Sequence, residues 1–145
     1  MAISVTVLGS GSRGNASVVR CGDRVLLVDC GLSPRAVTRR LEAQRIDARS
    51  ITDILVTHFD HDHFYPGWVK PIEKRGIRVH LHLRHRNRAM RTGLSGGAMH
   101  LFETPFDVAC DIRVVPVRLS HDQLGSIGFV IEHGGVRLGW ATDLG

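Results

Sequence analysis

The sequence predicts an α/β protein whose core consists mostly of β-strands, and three features of its 145 residues support this fold class. Short apolar runs such as Val25 to Val28 and Ile54 to Val56 are bounded by polar or turn-forming residues, as buried strands are. The segment Ser33 to Arg45 has the end signals and the apolar spacing of an amphipathic helix. The dipeptide Gly134-Gly135 between two apolar runs is typical of a β-hairpin turn.

The remaining elements follow from the same patterns. Strands are predicted over Ile3 to Leu8, Ala16 to Cys21, Val25 to Val28, Ile54 to Val56, Ile77 to Leu83, Val114 to Leu119, Ile127 to Glu132 and Val136 to Ala141. Ser33 and Pro34 suit the N-cap and first position of the helix. A second, short helix is predicted around Trp68 and Val69, and Gly93 to Gly97 is predicted to form a loop.

The composition is that of an ordinary globular protein. Hydrophobic residues make up 43% and charged residues 23%, which argues against a disordered tail or a membrane span. The length suits one domain, residues 1–145. Cys21, Cys30 and Cys110 form no C-x-x-C pair, so neither a disulfide framework nor a cysteine-rich zinc site is expected. No secretory signal is recognised at the start, and a cytoplasmic location is expected.

The chain is basic, with a formal net charge of +5 and a pI of about 9.9. This balance favours polyanions such as nucleic acid as partners, although many basic proteins bind none, and both interpretations stay open. The arginines between two predicted strands are the expected phosphate contacts. They are Arg84, Arg86, Arg88 and Arg91.

The densest group of metal-ligating side chains follows the predicted strand Ile54 to Val56. Imidazole and carboxylate donors are concentrated in His58 to His63, and this donor set suits zinc, iron or manganese. A rigid strand that ends in a loop presents reactive groups at its tip. The sequence therefore predicts a metal-binding loop, with a solvated polar loop as the alternative.

This loop resembles the signature H-x-H-x-D-H of the metallo-β-lactamase superfamily, which directly follows an apolar strand. The corresponding run is His58-Phe59-Asp60-His61-Asp62-His63. Asp60 stands where most members have the second histidine, although some branches carry H-x-D-x-D-H. Asp60 either ligates through oxygen or leaves the first metal weakly held, and His61 could replace it only if the loop were re-registered.

Three further motifs extend the resemblance along the chain. Asp29 lies in V-D-C-G, which is similar to the early D-x-G motif whose aspartate supports the metal loop by hydrogen bonding. His121 lies in S-H-D, like the third histidine motif, and Asp143 lies in T-D-L-G, like the motif of the metal-bridging aspartate. The opening G-S-G-S-R-G-N and the late G-F-V-I run look like the YycJ/WalJ-like hydrolases, a branch linked to 5′-to-3′ exonuclease action on DNA.

The resemblance implies an αββα sandwich and a two-metal hydrolase. The implied ligands are His58, Asp60 and His121 for the first metal and Asp62, His63 and Asp143 for the second. Two zinc ions are the expected cofactor, with manganese or iron as alternatives. Such ions generate a bound hydroxide and clamp the oxygens of a phosphodiester, and Asp62 is the candidate catalytic residue that orients the water or accepts its proton. Exonuclease-like cleavage of phosphodiester bonds in nucleic acid is the expected function.

The chain stops two residues after Asp143, whereas relatives continue into a second half that supplies a further histidine. The chain is therefore expected to be truncated at its C-terminus, to supply the first half to two-thirds of the sandwich and to expose a sheet edge that favours homo-oligomers. The motifs also suit hydrolysis of small esters, thioesters or lactams, or iron-dependent redox chemistry. A different class of function is a catalytically silent domain that binds DNA or a protein partner.

Two groups of polar residues lie outside these motifs. Ser10, Ser12 and Asn15 belong to a glycine-rich loop whose backbone amides could bind phosphate, although an ordinary turn fits equally well. The other histidines occupy polar strand positions, loops or turns and are expected to face solvent. They are His80, His82, His85, His100 and His133.

Overall fold

The computed structural model of the protein describes residues 2–120 and 124–142, which form ten β-strands in two sheets and three α-helices. The strands are β1 (Ile3–Gly9), β2 (Ala16–Cys21), β3 (Arg24–Cys30), β4 (Ile51–Leu55), β5 (Arg78–His82), β6 (Met99–Phe102), β7 (Phe106–Ala109), β8 (Ile112–Leu119), β9 (Ser126–His133) and β10 (Val136–Trp140). The helices are α1 (Pro34–Ala43), α2 (Val69–Arg75) and α3 (Arg86–Arg91). The predicted α/β class with a β-rich core is confirmed.

The larger sheet has the order β1-β2-β3-β4-β5-β6 and changes from antiparallel to parallel pairing after β3. The parallel strands are joined through helices, as parallel pairing requires. One face of this sheet packs against the helices, with Val37, Leu41 and Ile72 in the same core cluster as Leu27 and Ile54. The opposite face packs against the smaller sheet, ordered β10-β9-β8-β7. The large sheet is therefore covered on both sides.

Most predicted elements are present with shifted ends. Ser33 caps α1 through its hydroxyl, which accepts a hydrogen bond from the Ala36 amide at 3.1 Å. The helix ends at Ala43, two residues before the predicted end. Helix α3 and the four-residue strands β6 and β7 were not predicted, because segments this short have no periodicity to recognise. The hairpin between β9 and β10 is confirmed, with Val136 opposite His133.

The prediction that the other histidines face solvent was wrong for four of the five. Exposed fractions are 5% for His80, 8% for His82, 1% for His85 and 3% for His133, whereas His100 is exposed as expected. His80 and His82 alternate with apolar residues along β5, but β5 is an interior strand with both faces covered. On such a strand the polar positions are buried as well as the apolar ones.

The burial of His80 is compensated by Asp53 on the neighbouring strand β4. Asp53 is fully buried, and its carboxylate lies 2.8 Å from His80 Nε2 and 2.8 Å from Arg78 Nε, while the Thr52 hydroxyl donates to it at 2.6 Å. Burial raises the pKa of Asp53, but the hydrogen bonds from His80, Thr52 and Arg78 outweigh it and hold the pKa below its usual value. This cluster links β4 to β5 in the space between the two sheets.

The exposed edge of the large sheet and the three cysteines complete the description of the fold. Val5 and Val7 on the edge strand β1 are 39% and 59% exposed, so this edge is apolar. The three cysteines are free, with Cys21 and Cys30 buried and Cys110 exposed. Across residues 2–120 and 124–142, no helix combines the length and apolar character needed to cross a membrane.

Candidate metal centre

The predicted metal loop begins where β4 ends and is held against the end of the parallel strand β3. The Cys30 amide donates to the His63 carbonyl at 2.9 Å, and the Tyr65 amide donates to the Cys30 carbonyl at 2.8 Å. On the other side, the Asn15 amide donates to the Asp62 carbonyl at 2.7 Å. These backbone bonds fix the loop between β3 and the glycine-rich segment that follows β1.

Two backbone features at the end of β3 allow this close approach. Asp29 has a φ of +60°, a left-handed conformation that is strained for a residue with a side chain. A Cβ added to Gly31 would lie 1.8 Å from the Asp62 carbonyl oxygen, so only glycine fits there. The D-x-G motif therefore has a steric reason in this structure, in addition to the chemistry of its aspartate.

The Asp29 carboxylate is buried and accepts three hydrogen bonds, two from Thr57 directly before the metal loop and one from His63 within it. Its Oδ1 accepts from the Thr57 amide at 2.8 Å, and its Oδ2 accepts from the Thr57 hydroxyl at 2.7 Å. The same Oδ2 lies 2.7 Å from Nδ1 of His63. Because a carboxylate can only accept, the Nδ1 atom of His63 carries the proton.

This arrangement also determines the proton position on His58. The Thr57 hydroxyl donates its only proton to Asp29, so it accepts a hydrogen bond from His58 Nδ1, which lies 2.9 Å away. In its neutral form, each imidazole would therefore carry its lone pair on Nε2. Protein histidines that bind metals usually donate their other ring N–H to a carboxylate or another acceptor in this way.

The two Nε2 atoms face carboxylates of the same loop. His58 Nε2 lies 3.3 Å from Oδ2 of Asp60, and His63 Nε2 lies 3.8 Å from Oδ2 of Asp62. The two imidazole rings are 4.0 Å apart between centroids. A lone pair directed at a carboxylate oxygen over such distances is stabilised by a proton or a cation between them, so the donor chemistry fits a divalent metal ion.

The described residues provide only part of the predicted ligand set. His58, Asp60, Asp62 and His63 are brought together, whereas the predicted ligands His121 and Asp143 lie outside the described residues. Within 2–120 and 124–142, no group of three or more His, Cys, Asp or Glu side chains is arranged to hold an ion by itself. His61 is exposed, in agreement with the alternation that turns it away from the ligands.

Asn15 has a different environment from the one predicted for the glycine-rich loop. Its side-chain amide lies 2.9 Å from the Gly11 carbonyl, 3.1 Å from the Asp62 carbonyl and 3.2 Å from His63 Nε2. Ser10 and Ser12 are exposed. Asn15 thus supports the metal loop in this structure, and phosphate binding by the three residues stays a prediction.

Three contacts of the segment that contains α3 were not predicted from the sequence, and one of them reaches the metal loop. Arg88 of α3 contacts Asp60, with 3.2 Å between Nη1 of Arg88 and Oδ1 of Asp60. Arg84 donates to the Leu124 carbonyl at 2.8 Å, and His85 Nε2 donates to the Gly125 carbonyl at 3.0 Å. Burial lowers the pKa of His85 to about 4, against the opposing effect of its hydrogen bond. The residues that make these contacts are far along the chain from their partners, so no local pattern in the sequence indicated them.

The two-sheet fold and this loop define a member of the metallo-β-lactamase superfamily, and the chain belongs to that superfamily: the family model matches residues 9–145. The family typically binds divalent metal ions, usually zinc. The chain resembles ribonuclease Z of Mycobacterium avium, with 40% identity over 68 residues, covering 42% of the chain and 23% of that protein. It also resembles exodeoxyribonuclease YycJ of Bacillus anthracis, with 38% identity over 63 residues, covering 43% of the chain and 24% of that protein.

Solved structures share the fold over nearly the whole chain. The metallo-β-lactamase fold protein YhfI of Bacillus subtilis superposes with a TM-score of 0.76 at 18% identity, covering 97% of this chain and 63% of that one. Human tRNase Z, short form, gives a TM-score of 0.66 at 23% identity, covering 96% and 68%. The chain thus spans roughly two-thirds of these structures, and the segments it shares with the two curated relatives are about a quarter of their length.

Proposed function

We propose that this protein is a metal-dependent hydrolase of phosphodiester bonds in nucleic acid. The observation that carries the proposal is the hydrogen bonding of Asp29 to Thr57 and His63. It occupies Nδ1 of both imidazoles, so that the neutral rings would offer Nε2 as a ligand atom beside the carboxylates of Asp60 and Asp62. In this proposal His58 and Asp60 hold one ion, and Asp62 and His63 contribute to a second. His121 and Asp143 complete the two sets.

The chain's own residues have separate tasks in the proposed reaction. Divalent ions held here would lower the pKa of a bound water and neutralise charge on the phosphate. Asp62 is 25% exposed at the mouth of the loop and orients the attacking water or accepts its proton. Asp29 keeps both imidazoles in the ligating tautomer without touching the substrate. Zinc is the proposed metal, because the donor set combines imidazole with carboxylate.

Nucleic acid is the proposed substrate because two independent features favour it. The similar proteins include ribonuclease Z and exodeoxyribonuclease YycJ by name. The chain also has a net charge of +5, and Arg86 and Arg91 of α3 are exposed beside Arg88, which contacts the metal loop. Exposed arginines next to such a site would hold a phosphate backbone and make binding depend on salt.

The test is to purify the gene product that carries this sequence, measure its metal content and assay cleavage of end-labelled DNA and RNA. We expect zinc and cleavage in the wild type, and loss of zinc in His58→Ala and His63→Ala. In Asp62→Asn we expect loss of cleavage with zinc retained at the first site, of which Asp62 is not a ligand. The control is His61→Ala, which removes an exposed histidine of the same loop and should change neither property. A metal content equal in all four variants and the wild type would overturn the proposal, whereas bound metal without cleavage of either nucleic acid would indicate the silent binding domain.

A further inference from the structure

The carboxylate of Asp60 lies between the imidazole of His58 and the guanidinium of Arg88. One carboxylate oxygen, Oδ2, is 3.3 Å from His58 Nε2, and the other, Oδ1, is 3.2 Å from Nη1 of Arg88. The Asp60 side chain is 33% exposed and that of Arg88 is 36% exposed, so the pair is partly withdrawn from water. Each oxygen thus has its own neighbour, and the carboxylate bridges the metal loop and α3.

The backbone on both sides of this pair is anchored. The Asp60 carbonyl accepts hydrogen bonds from the His63 amide at 2.8 Å and the Phe64 amide at 3.0 Å, which fixes the turn that presents the carboxylate. In α3, Ala89 is fully buried and holds the helix against the core, so the preceding residue, Arg88, is directed at the loop. Two anchored elements meeting at one ion pair distinguish it from a mobile surface pair, which would contribute little.

The opposite charges of Asp60 and Arg88 give a physical reason for their contact. The superfamily signature has a neutral histidine where this chain has Asp60, and an aspartate adds one negative charge to the ligands of that ion. A guanidinium stays charged under all ordinary conditions and matches a carboxylate geometrically. The guanidinium of Arg88 thus offsets the added charge of Asp60 from the Oδ1 side, while Oδ2 lies on the side of His58.

We propose that Arg88 is a positioning residue of the metal site, which holds Asp60 as a one-oxygen ligand so that the Asp60–Arg88 pair replaces a neutral histidine. The inference rests on the proposed function, since it requires that an ion bind between His58 and Asp60. It predicts that the effect of Arg88 on metal affinity depends on which residue occupies position 60.

The test is a double-substitution cycle in zinc affinity, measured on the purified protein by competition with a chromogenic chelator. Arg88→Met should weaken zinc binding by about tenfold, because a released Asp60 carboxylate turns toward water. In the Asp60→His background the same Arg88→Met change should instead tighten binding, because the guanidinium then only repels the cation. Arg91→Met removes an exposed arginine of the same helix and is the control, which should leave zinc affinity unchanged.

The sign of the change separates positioning from simple electrostatics. If Arg88 acted only through its charge, its removal would tighten zinc binding in both backgrounds, and that result would overturn the inference. An Arg88→Met protein with unchanged affinity would overturn it equally. Failure of the proposed function has a different signature: zinc affinity would then be unaffected by His58→Ala. Far-UV circular dichroism and urea unfolding of each variant establish that the fold is retained.

Discussion

The substitution Asp29→Asn tests whether the hydrogen bonds behind the metal loop determine its ligand chemistry. Asp29 accepts three buried bonds of 2.7 to 2.8 Å, two from Thr57 and one from His63. An asparagine keeps one acceptor oxygen, which can retain the Thr57 amide, but its NH₂ group then faces two donors. Bonds to a buried charged acceptor contribute about 1.5–3 kcal/mol each, and rotation of the hydroxyl and a new tautomer recover part, so we expect a net loss of about 2–3 kcal/mol in unfolding free energy.

The same substitution should change the tautomer of His63. With an NH₂ group opposite Nδ1, the imidazole is expected to accept at Nδ1 and to carry its proton on Nε2, which removes the lone pair proposed to bind metal. Loss of such a supporting carboxylate typically weakens metal binding by about 10–100-fold. Urea unfolding measures the first effect, chelator competition the second, and ¹H–¹⁵N correlation spectra of the metal-free imidazole rings identify the tautomer directly.

Asp23→Asn is the matched control, because Asp23 is an exposed aspartate in the turn before β3. It should leave stability, tautomer and zinc affinity unchanged. The reasoning is refuted if Asp29→Asn keeps the Nδ1–H tautomer of His63 and binds zinc within about twofold of the wild type.

Three further predictions concern residues outside the loop. His80→Ala leaves the buried Asp53 carboxylate without its imidazole partner and should lower the unfolding free energy by about 3 kcal/mol without changing metal content; an unchanged urea midpoint would contradict this. The pKa of His85 falls from 6.5 to about 4 on folding because the ring is buried, so its contribution is complete above pH 6.5 and decreases as the pH falls toward 4. The wild type should thus lose about 2 kcal/mol more than His85→Gln between pH 7.5 and 5 in EDTA, and parallel pH profiles would exclude this. Replacing Arg86 and Arg91 by glutamine should weaken DNA binding and reduce its salt dependence in filter-binding assays, whereas an unaltered salt slope would leave the basic charge without this role.

Local patterns in the sequence were sufficient for several parts of this structure. The capping residue Ser33, the hairpin after β9 and most strands depend on neighbours within a few positions, and they were predicted with shifted ends. The donors of His58 to His63 were likewise recognisable, because their chemical types and spacing are contained in one segment. The assignment of Asp29 as a support for that loop came from resemblance, and the structure gives it matching hydrogen bonds.

Other features depended on contacts between distant segments. Asp29 and His63 are 34 residues apart, and Arg88 and Asp60 are 28 apart; they meet because parallel strands bring their ends to one edge of the sheet. The burial of His80 depends on the second sheet, since alternation along a strand separates its two faces without saying what covers each one. The sequence by itself determined which donor side chains the loop offers. The tertiary structure decided where the protons of those donors lie, which charged groups pair with them and which histidines are in the core. These properties depend on segments that only folding brings together.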